Sequence, residues 1–405
     1  MADRPGLQRR LGTFDAVVIG LGSMIGAGIF VALGPAAAAA GGGLLIGLGA
    51  AAVVAYCNAM SSARLAARYP QSGGTYVYGR ERLGEFWGYL AGWSFIVGKT
   101  ASCAAMALTV GFYAWPAQAH AVAVGAVVGL TAVNYRGIQK SALLTRLIVA
   151  TVLAVLAAVV VIGWCSGHAD AGLVRLTGGS VPGVLQAAGL LFFAFAGYAR
   201  IATLGEEVRE PARTIPRAIP IALALTLLVY TALAATLIAV LGTAGLASAP
   251  APLADAVRAA GAPWFEPVVR AGAAVAALGS LLSLILGVSR TTLAMARDRH
   301  LPAPLAAVHP RFAVPHRAEV AVGALVAVLA AVSDVRGVIG FSSFAVLGYY
   351  AVANASAWTL GRRLIPAVGL VGCVVLAVAL PLASVVVGAG LLAVGALIYA
   401  GRRLR

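Results

Sequence analysis

Between Gly20 and Gly28 the chain reads Gly-Leu-Gly-Ser-Met-Ile-Gly-Ala-Gly. Four glycines in nine residues disfavour a continuous helix, since each costs roughly 1 kcal/mol relative to alanine. Where such a helix unwinds, its freed amide groups and the N-terminus of the following half-helix can hold a carboxylate. Freed carbonyls can hold an ammonium, and a second interruption, Ala194-Phe195-Ala196-Gly197-Tyr198, could supply more of them. Together these groups make a receptor for the backbone of an amino acid that needs no charged side chain. Two plainer accounts compete. Gly22 and Gly26 fit the GxxxG pattern of close helix packing. The stretch also partly resembles a dinucleotide-binding loop, but no strand precedes it and no acidic residue follows at the required distance.

Lys99 is the second residue whose position demands an account. It lies well inside an apolar stretch, residues 85–113, where insertion scales assign a lysine roughly 2.5–3.5 kcal/mol. Such a residue must face a bundle interior or a wet cavity, and its own helix offers no acidic neighbour at i±3 or i±4. Three roles stay open: a proton-responsive group or a cation in place of a bound sodium ion, a donor to freed carbonyls, and a contact to an acidic side chain of a bound molecule.

Other chemistry-bearing residues read as structural. Glu206-Glu207 lies among Arg200, Arg209, Arg213 and Arg217, where ion pairing that organises a loop accounts for it better than acid–base work. Cys57, Cys103, Cys165 and Cys373 are far apart and have neither metal-ligand nor redox spacing. His120, His168, His300, His309 and His316 all fall in loops or at helix ends. Neither a metal nor a cofactor is expected.

The elements that must position these groups are membrane helices. Of 405 residues, 61% are hydrophobic and 10% charged, against about 25% charged in an average soluble domain. Apolar runs bounded by charge clusters or turn residues give twelve spans: 14–36, 42–66, 85–113, 119–135, 142–164, 184–206, 217–242, 265–295, 319–335, 338–360, 364–381 and 383–400. The last two divide one long run at Leu380-Pro381-Leu382. Arg4, Arg9 and Arg10 before the first run superficially resemble a signal peptide, but no cleavage site is convincing, so a retained first span is expected.

The net charge of +16 and a pI near 10.5 suggest a polyanionic partner. Position says otherwise. Of the 29 basic residues, only Arg175, Arg258, Arg270, Arg336 and Lys99 fall outside segments that alternating spans place on one side. That is the positive-inside pattern, so both termini are expected in the cytoplasm and no nucleic acid is expected as a partner. Five spans separate the two glycine interruptions, so the second copy has opposite orientation. A five-plus-five inverted repeat follows, with spans 1 and 6 broken and two extra spans. The expected division is a cytoplasmic N-terminus (1–13), a first repeat (14–164), an extracytoplasmic loop (165–183), a second repeat (184–360), and spans 11 and 12 with a basic tail (361–405).

Ser23-Met24-Ile25-Gly26-Ala27-Gly28-Ile29-Phe30 resembles the first-helix motif of the amino acid–polyamine–organocation superfamily. Tyr69 to Tyr76 resembles its loop between helices 2 and 3, and Gly205 to Pro216 its loop after helix 6. Phe341-Ser342-Ser343-Phe344 to Asn354 is similar to helix 10 of the cationic-amino-acid-transporter-like branch. The resemblance spans residues 14 to about 360 in the right order. It implies a secondary transporter of amino acids in the cytoplasmic (inner) membrane, working by alternating access, with protons as a candidate coupling partner. It places Met24, Gly26, Ala27 and Gly28 around the substrate backbone, Phe193 at an aromatic gate, and Ala196 and Gly197 at the second break. A lipid-facing position or core packing is the bland alternative for Phe193, given Phe192 and Phe195 beside it.

Two departures bear on specificity. Proton-coupled relatives often carry a lysine in helix 5, whereas residues 147–163 hold no charge. Members for cationic substrates tend to carry an acidic residue in helix 3, where this chain has Gly98-Lys99. A cationic substrate is therefore not carried over. The competing readings are a polyamine or other organic-cation carrier, an exchanger or exporter of the same fold, a membrane-embedded enzyme, and a channel or receptor. The first should place carboxylates in its cavity, and the predicted spans offer almost none besides Asp15.

Overall fold

The computed structural model describes residues 11–26, 28–69, 73–137, 142–176, 178–202 and 208–403. Apart from one isolated bridge between Leu11 and Val208, the described residues form helices and connections only. Ten helical stretches are long and apolar enough to cross a membrane, and Leu364–Ala379 is a shorter apolar helix.

Span 1 runs Thr13–Met24, resumes as Gly28–Val31, and continues as Leu33–Ala40. Span 2 is Leu44–Arg68, span 3 Glu85–Ala114, span 4 Ala119–Tyr135 and span 5 Ala142–Cys165. Span 6 is Val181–Phe195, followed by a 3-10 turn, Ala196–Tyr198, and a short helix, Ala199–Ala202. At the positions expected for spans 8 to 12 lie the helices Glu266–Arg297, His316–Val332, Val335–Trp358, Leu364–Ala379 and Leu382–Arg403, of which His316–Val332 and Leu364–Ala379 are not among the ten.

Span 7, expected at 217–242, runs Pro211–Ser248. Pro211 sits in the first turn, where its missing N–H loses no helical bond. At the other end Gly242 takes φ 67°, a conformation that favours glycine, and turns the chain within that stretch. Two short helices were not expected: Thr75–Leu83 at the basic end and Pro252–Ala259 at the opposite end.

Span 3 is the central post, packed along spans 8 and 10. Span 1 lies between spans 5 and 7, and span 6 leans on spans 2 and 10. Small residues permit these approaches: Ala101, Ala104, Ala105 and Ala107 of span 3 are all fully buried. The outward faces are apolar, with Leu228, Val371, Val378 and Leu397 each more than 60% exposed. A contiguous apolar surface of this kind suits a membrane.

Charges tie the elements together at the helix ends. Asp15 caps the first helix by accepting from the Gly12 amide at 3.2 Å and also receives the guanidinium of Arg146 from span 5. Arg209 donates its amide to the Leu11 carbonyl at 2.8 Å, joining the start of span 1 to the segment after span 6.

Candidate substrate site

A cavity of about 470 Å³ opens where the interruptions of spans 1 and 6 meet. Met24, Gly26 and Gly28 line it from span 1; Phe193, Ala194, Ala196 and Gly197 line it from span 6. Ala27 and the Glu206-Glu207 pair lie outside the described residues. The lining reaches down to Leu11, Gly73, Arg200 and Arg290, at the basic ends of their segments. In the other direction Phe30 packs edge-on against Tyr113 at 5.7 Å, and the Tyr113 hydroxyl donates to the Phe30 carbonyl at 3.0 Å. The cavity thus extends toward the basic ends, while Phe30 and Tyr113 pack together on the other side.

The glycines allow the two interruptions to touch. A Cβ built on Gly197 would lie 2.3 Å from the Ser23 carbonyl oxygen and 2.7 Å from the Met24 nitrogen. One on Gly28 would lie 2.4 Å from the Ala194 Cα, and one on Gly26 would lie 1.7 Å from the Ser280 Oγ. Close packing thus brings the two turns together beside the cavity.

Two side chains pin the turns. Lys99 is 6% exposed and donates from Nζ to the Ala196 carbonyl at 3.3 Å. Its ammonium reaches the cavity wall, and no ion pair to it forms among the described residues. Tyr230 of span 7 lies between the Met24 carbonyl, at 2.6 Å from its hydroxyl, and the Ala194 carbonyl, at 3.1 Å. One phenolic proton is shared between carbonyls of two different interruptions. Sequence reasoning missed Tyr230, although a lone tyrosine in an apolar span was a signal, because a buried hydroxyl needs a partner. It also missed Ser280, which donates to the Gly22 carbonyl at 3.2 Å.

Removing the Tyr230 hydroxyl leaves two buried carbonyls without that donor, which costs about 1–3 kcal/mol. Tyr230→Phe is expected to lower the thermal unfolding temperature and to weaken substrate binding about tenfold. Unchanged unfolding and binding would show that the hydroxyl does not hold the turns.

The three neighbouring phenylalanines of span 6 divide cleanly. Phe192 packs edge-on against Tyr350 at 5.8 Å, Phe195 packs against Tyr230 at 5.1 Å, and Phe193 is the one that lines the cavity. An aromatic wall contributes about 1–3 kcal/mol of buried contact. Phe193→Ala is expected to weaken binding about tenfold or more, read by calorimetry on purified protein. If Phe192→Ala damages binding while Phe193→Ala leaves it intact, the facing of this helix is misassigned.

At the cavity mouth Tyr76, on the short helix Thr75–Leu83, donates to Asp298 Oδ2 at 2.5 Å and lies 2.9 Å from His300 Nδ1. Arg80 joins the same carboxylate at 3.0 Å, and Glu85 lies 3.7 Å from His300 Nε2. Burial holds the His300 imidazole below its ordinary pKa, against the upward pull of Glu85 and Asp298. This latch fixes the helix Thr75–Leu83 at the basic end of the cavity.

Ten helices long and apolar enough to cross a membrane, packed around a central cavity, make this a multi-pass membrane protein. The chain belongs to the amino acid permease family, which it matches over residues 11–400. It is 73% identical over 405 residues to an uncharacterized transporter of Mycobacterium tuberculosis, an alignment covering 98% of this chain and 92% of the relative. It is 29% identical over 351 residues to the branched-chain amino acid permease of Bacillus subtilis, covering 80% of this chain and 74% of the relative. To human cationic amino acid transporter 4 it is 31% identical over 373 residues, covering 85% of this chain and 58% of the relative.

Proposed function

We propose that this chain is a secondary active carrier that moves amino acids across a cytoplasmic membrane by alternating access, with both termini in the cytoplasm. The observation that carries the reading is the meeting of two interrupted helices, with Met24, Gly26 and Gly28 of one and Ala194, Ala196 and Gly197 of the other lining the same cavity. Amides and carbonyls released there suit the carboxylate and the ammonium of a zwitterion. Met24, Gly26, Ala27, Gly28, Ala196 and Gly197 bind the substrate backbone, and Phe193 covers it. Spans 1–5 (14–164) and 6–10 (184–360) form the inverted halves, with spans 11 and 12 added. The twelve-span count takes His316–Val332 and Leu364–Ala379 as crossing helices. Proton coupling is assigned to Lys99, because a buried ammonium that forms no ion pair among the described residues can exchange a proton without breaking one.

The cavity also bears on the side chain of the substrate. The charged side chains among its described lining residues are Lys99, Arg200 and Arg290, and none is Asp or Glu. That disfavours cationic amino acids and polyamines, which need carboxylates to replace their hydration. Ile148, Val149, Val152 and Leu284 supply apolar wall instead. A thermal-shift screen of purified protein against the twenty amino acids and common polyamines tests the reading. Stabilisation by one or more amino acids with uncharged side chains is expected. Stabilisation by putrescine or spermidine alone would replace it with the polyamine reading.

A further inference from the structure

We propose that Glu319, in the first turn of span 9, is a proton-binding site, separate from Lys99 and linked to the cavity through Arg290. Glu319 is 0% exposed, although Arg317 and Val320 close to it in sequence are exposed. Both of its carboxyl oxygens are buried, and among the described residues neither has a hydrogen-bond partner or an ion pair. Glu319 stands apart in this. Every other carboxylate among the described residues has a partner. Asp15, Glu81, Glu210, Asp255, Glu266 and Asp298 face guanidinium groups. Glu85 faces an imidazole, and Asp170 and Asp334 accept from backbone amides.

The elements packed on span 9 bring few charges to this carboxyl. Span 4 supplies Thr131, whose Oγ1 would lie 2.5 Å from a Cβ built on Gly323, and Tyr135, which packs edge-on against His316 at 6.0 Å. The connection before span 9 supplies His309, its ring 5.3 Å from that of His316. Span 3 and the turn Ala303–Ala306 also pack on span 9. Among the described residues the charge that bears on Glu319 is Arg290 of span 8. Arg290 is exposed and lines the cavity, and its guanidinium is not within ion-pair distance of the carboxyl.

Burial selects the ligand. An ionised carboxylate sealed from water without a partner loses its hydration and gains nothing in return, a far larger cost than burying a neutral carboxyl. The N-terminal turn of span 9 favours a negative charge, but a helix terminus offsets only a small part of that cost. Arg290 acts from beyond contact and from the cavity side, where water weakens its field. A proton taken from water onto one carboxyl oxygen removes the charge altogether, and it needs no cavity. A metal ion needs more donors, and the described residues hold no group of three His, Cys, Asp or Glu that could bind one. Because Arg290 lines the cavity, whatever shields its guanidinium there strengthens proton binding at Glu319. By reciprocity, the proton on Glu319 changes the affinity of the cavity for such a group. Glu319 is thus a second route by which pH reaches the transport site.

Infrared spectroscopy of the purified protein in lipid reads this proton directly, because a protonated carboxyl absorbs apart from a carboxylate and shifts in heavy water. At neutral pH the parent and Lys99→Met are expected to show the protonated-carboxyl band, and Glu319→Gln is expected to lose it. Arg290→Gln, altered at an exposed position, is expected to keep the band to a higher pH than the parent, because the opposing charge is gone. A parent without the band at neutral pH overturns the proposal, as does a band that Glu319→Gln retains. Should Glu319→Gln fail to fold, the parent and Arg290→Gln still decide the matter. A band that disappears at the same pH in both removes the link to Arg290 and overturns the proposal.

Discussion

Gly197→Ala is expected to abolish substrate binding while leaving membrane insertion intact. The added Cβ would lie 2.3 Å from the Ser23 carbonyl oxygen, 2.4 Å from its carbon and 2.7 Å from the Met24 nitrogen. All three are main-chain atoms, so no rotamer change relieves the contact, and the two interrupted helices must move apart. The surface presented to lipid is unaltered, so insertion survives. Gly129→Ala is the control, since nothing lies within 4 Å of a Cβ built there. Monodispersity in detergent reports the fold and calorimetry reports binding. Binding by Gly197→Ala within about twofold of the parent would sink the assignment of the paired turns. Gly28→Val is a less informative test, because a Cβ there meets the Ala194 Cα at 2.4 Å and disturbs packing and amide access together.

The second large effect is expected at Lys99. Its ammonium donates to the Ala196 carbonyl and reaches the cavity, so it can serve as a structural clamp, as a proton carrier, or as both. Lys99→Met and Lys99→Ala, assayed in proteoliposomes with and without an inward pH gradient, separate the roles. Under proton coupling both variants lose gradient-driven accumulation, keep exchange and become insensitive to pH. A clamp without coupling predicts instead that exchange falls together with accumulation. Variants that still accumulate substrate on a pH gradient remove Lys99 from the coupling mechanism.

Much of this arrangement was legible in the sequence because lipid imposes a simple rule. Each crossing consumes about 20 apolar residues, and cationic ends stay on one side. The long apolar run after Arg363 was divided at Leu380-Pro381-Leu382, and helices end at Ala379 and restart at Leu382. The glycine cluster of span 1 was visible as a departure from helix chemistry, and Lys99 as a departure from membrane chemistry. The partners of Tyr230 were not legible, because they are carbonyls on spans 1 and 6, and a main-chain acceptor leaves no mark in a sequence. The latch of Tyr76, Arg80, Asp298 and His300 was hidden for a related reason: it joins residues more than 200 positions apart. The start of span 7 at Pro211 and the helix Thr75–Leu83 leave little mark in the sequence, because short polar and proline-led segments lack the hydropathy contrast that marks a crossing.

Counterflow in proteoliposomes tests the central claim most directly. Vesicles containing the purified protein are loaded with a high concentration of the unlabelled amino acid that stabilises it, then diluted into a trace of the same amino acid carrying a radiolabel. A carrier that exposes one site alternately to each side returns inward loaded with label while the internal pool competes for its exit. Label is therefore expected to rise transiently above its equilibrium level and then decay. A monotonic rise to equal concentrations would mean a channel and contradict alternating access. No entry above that of protein-free vesicles, for any of the twenty amino acids, would contradict amino acid transport itself.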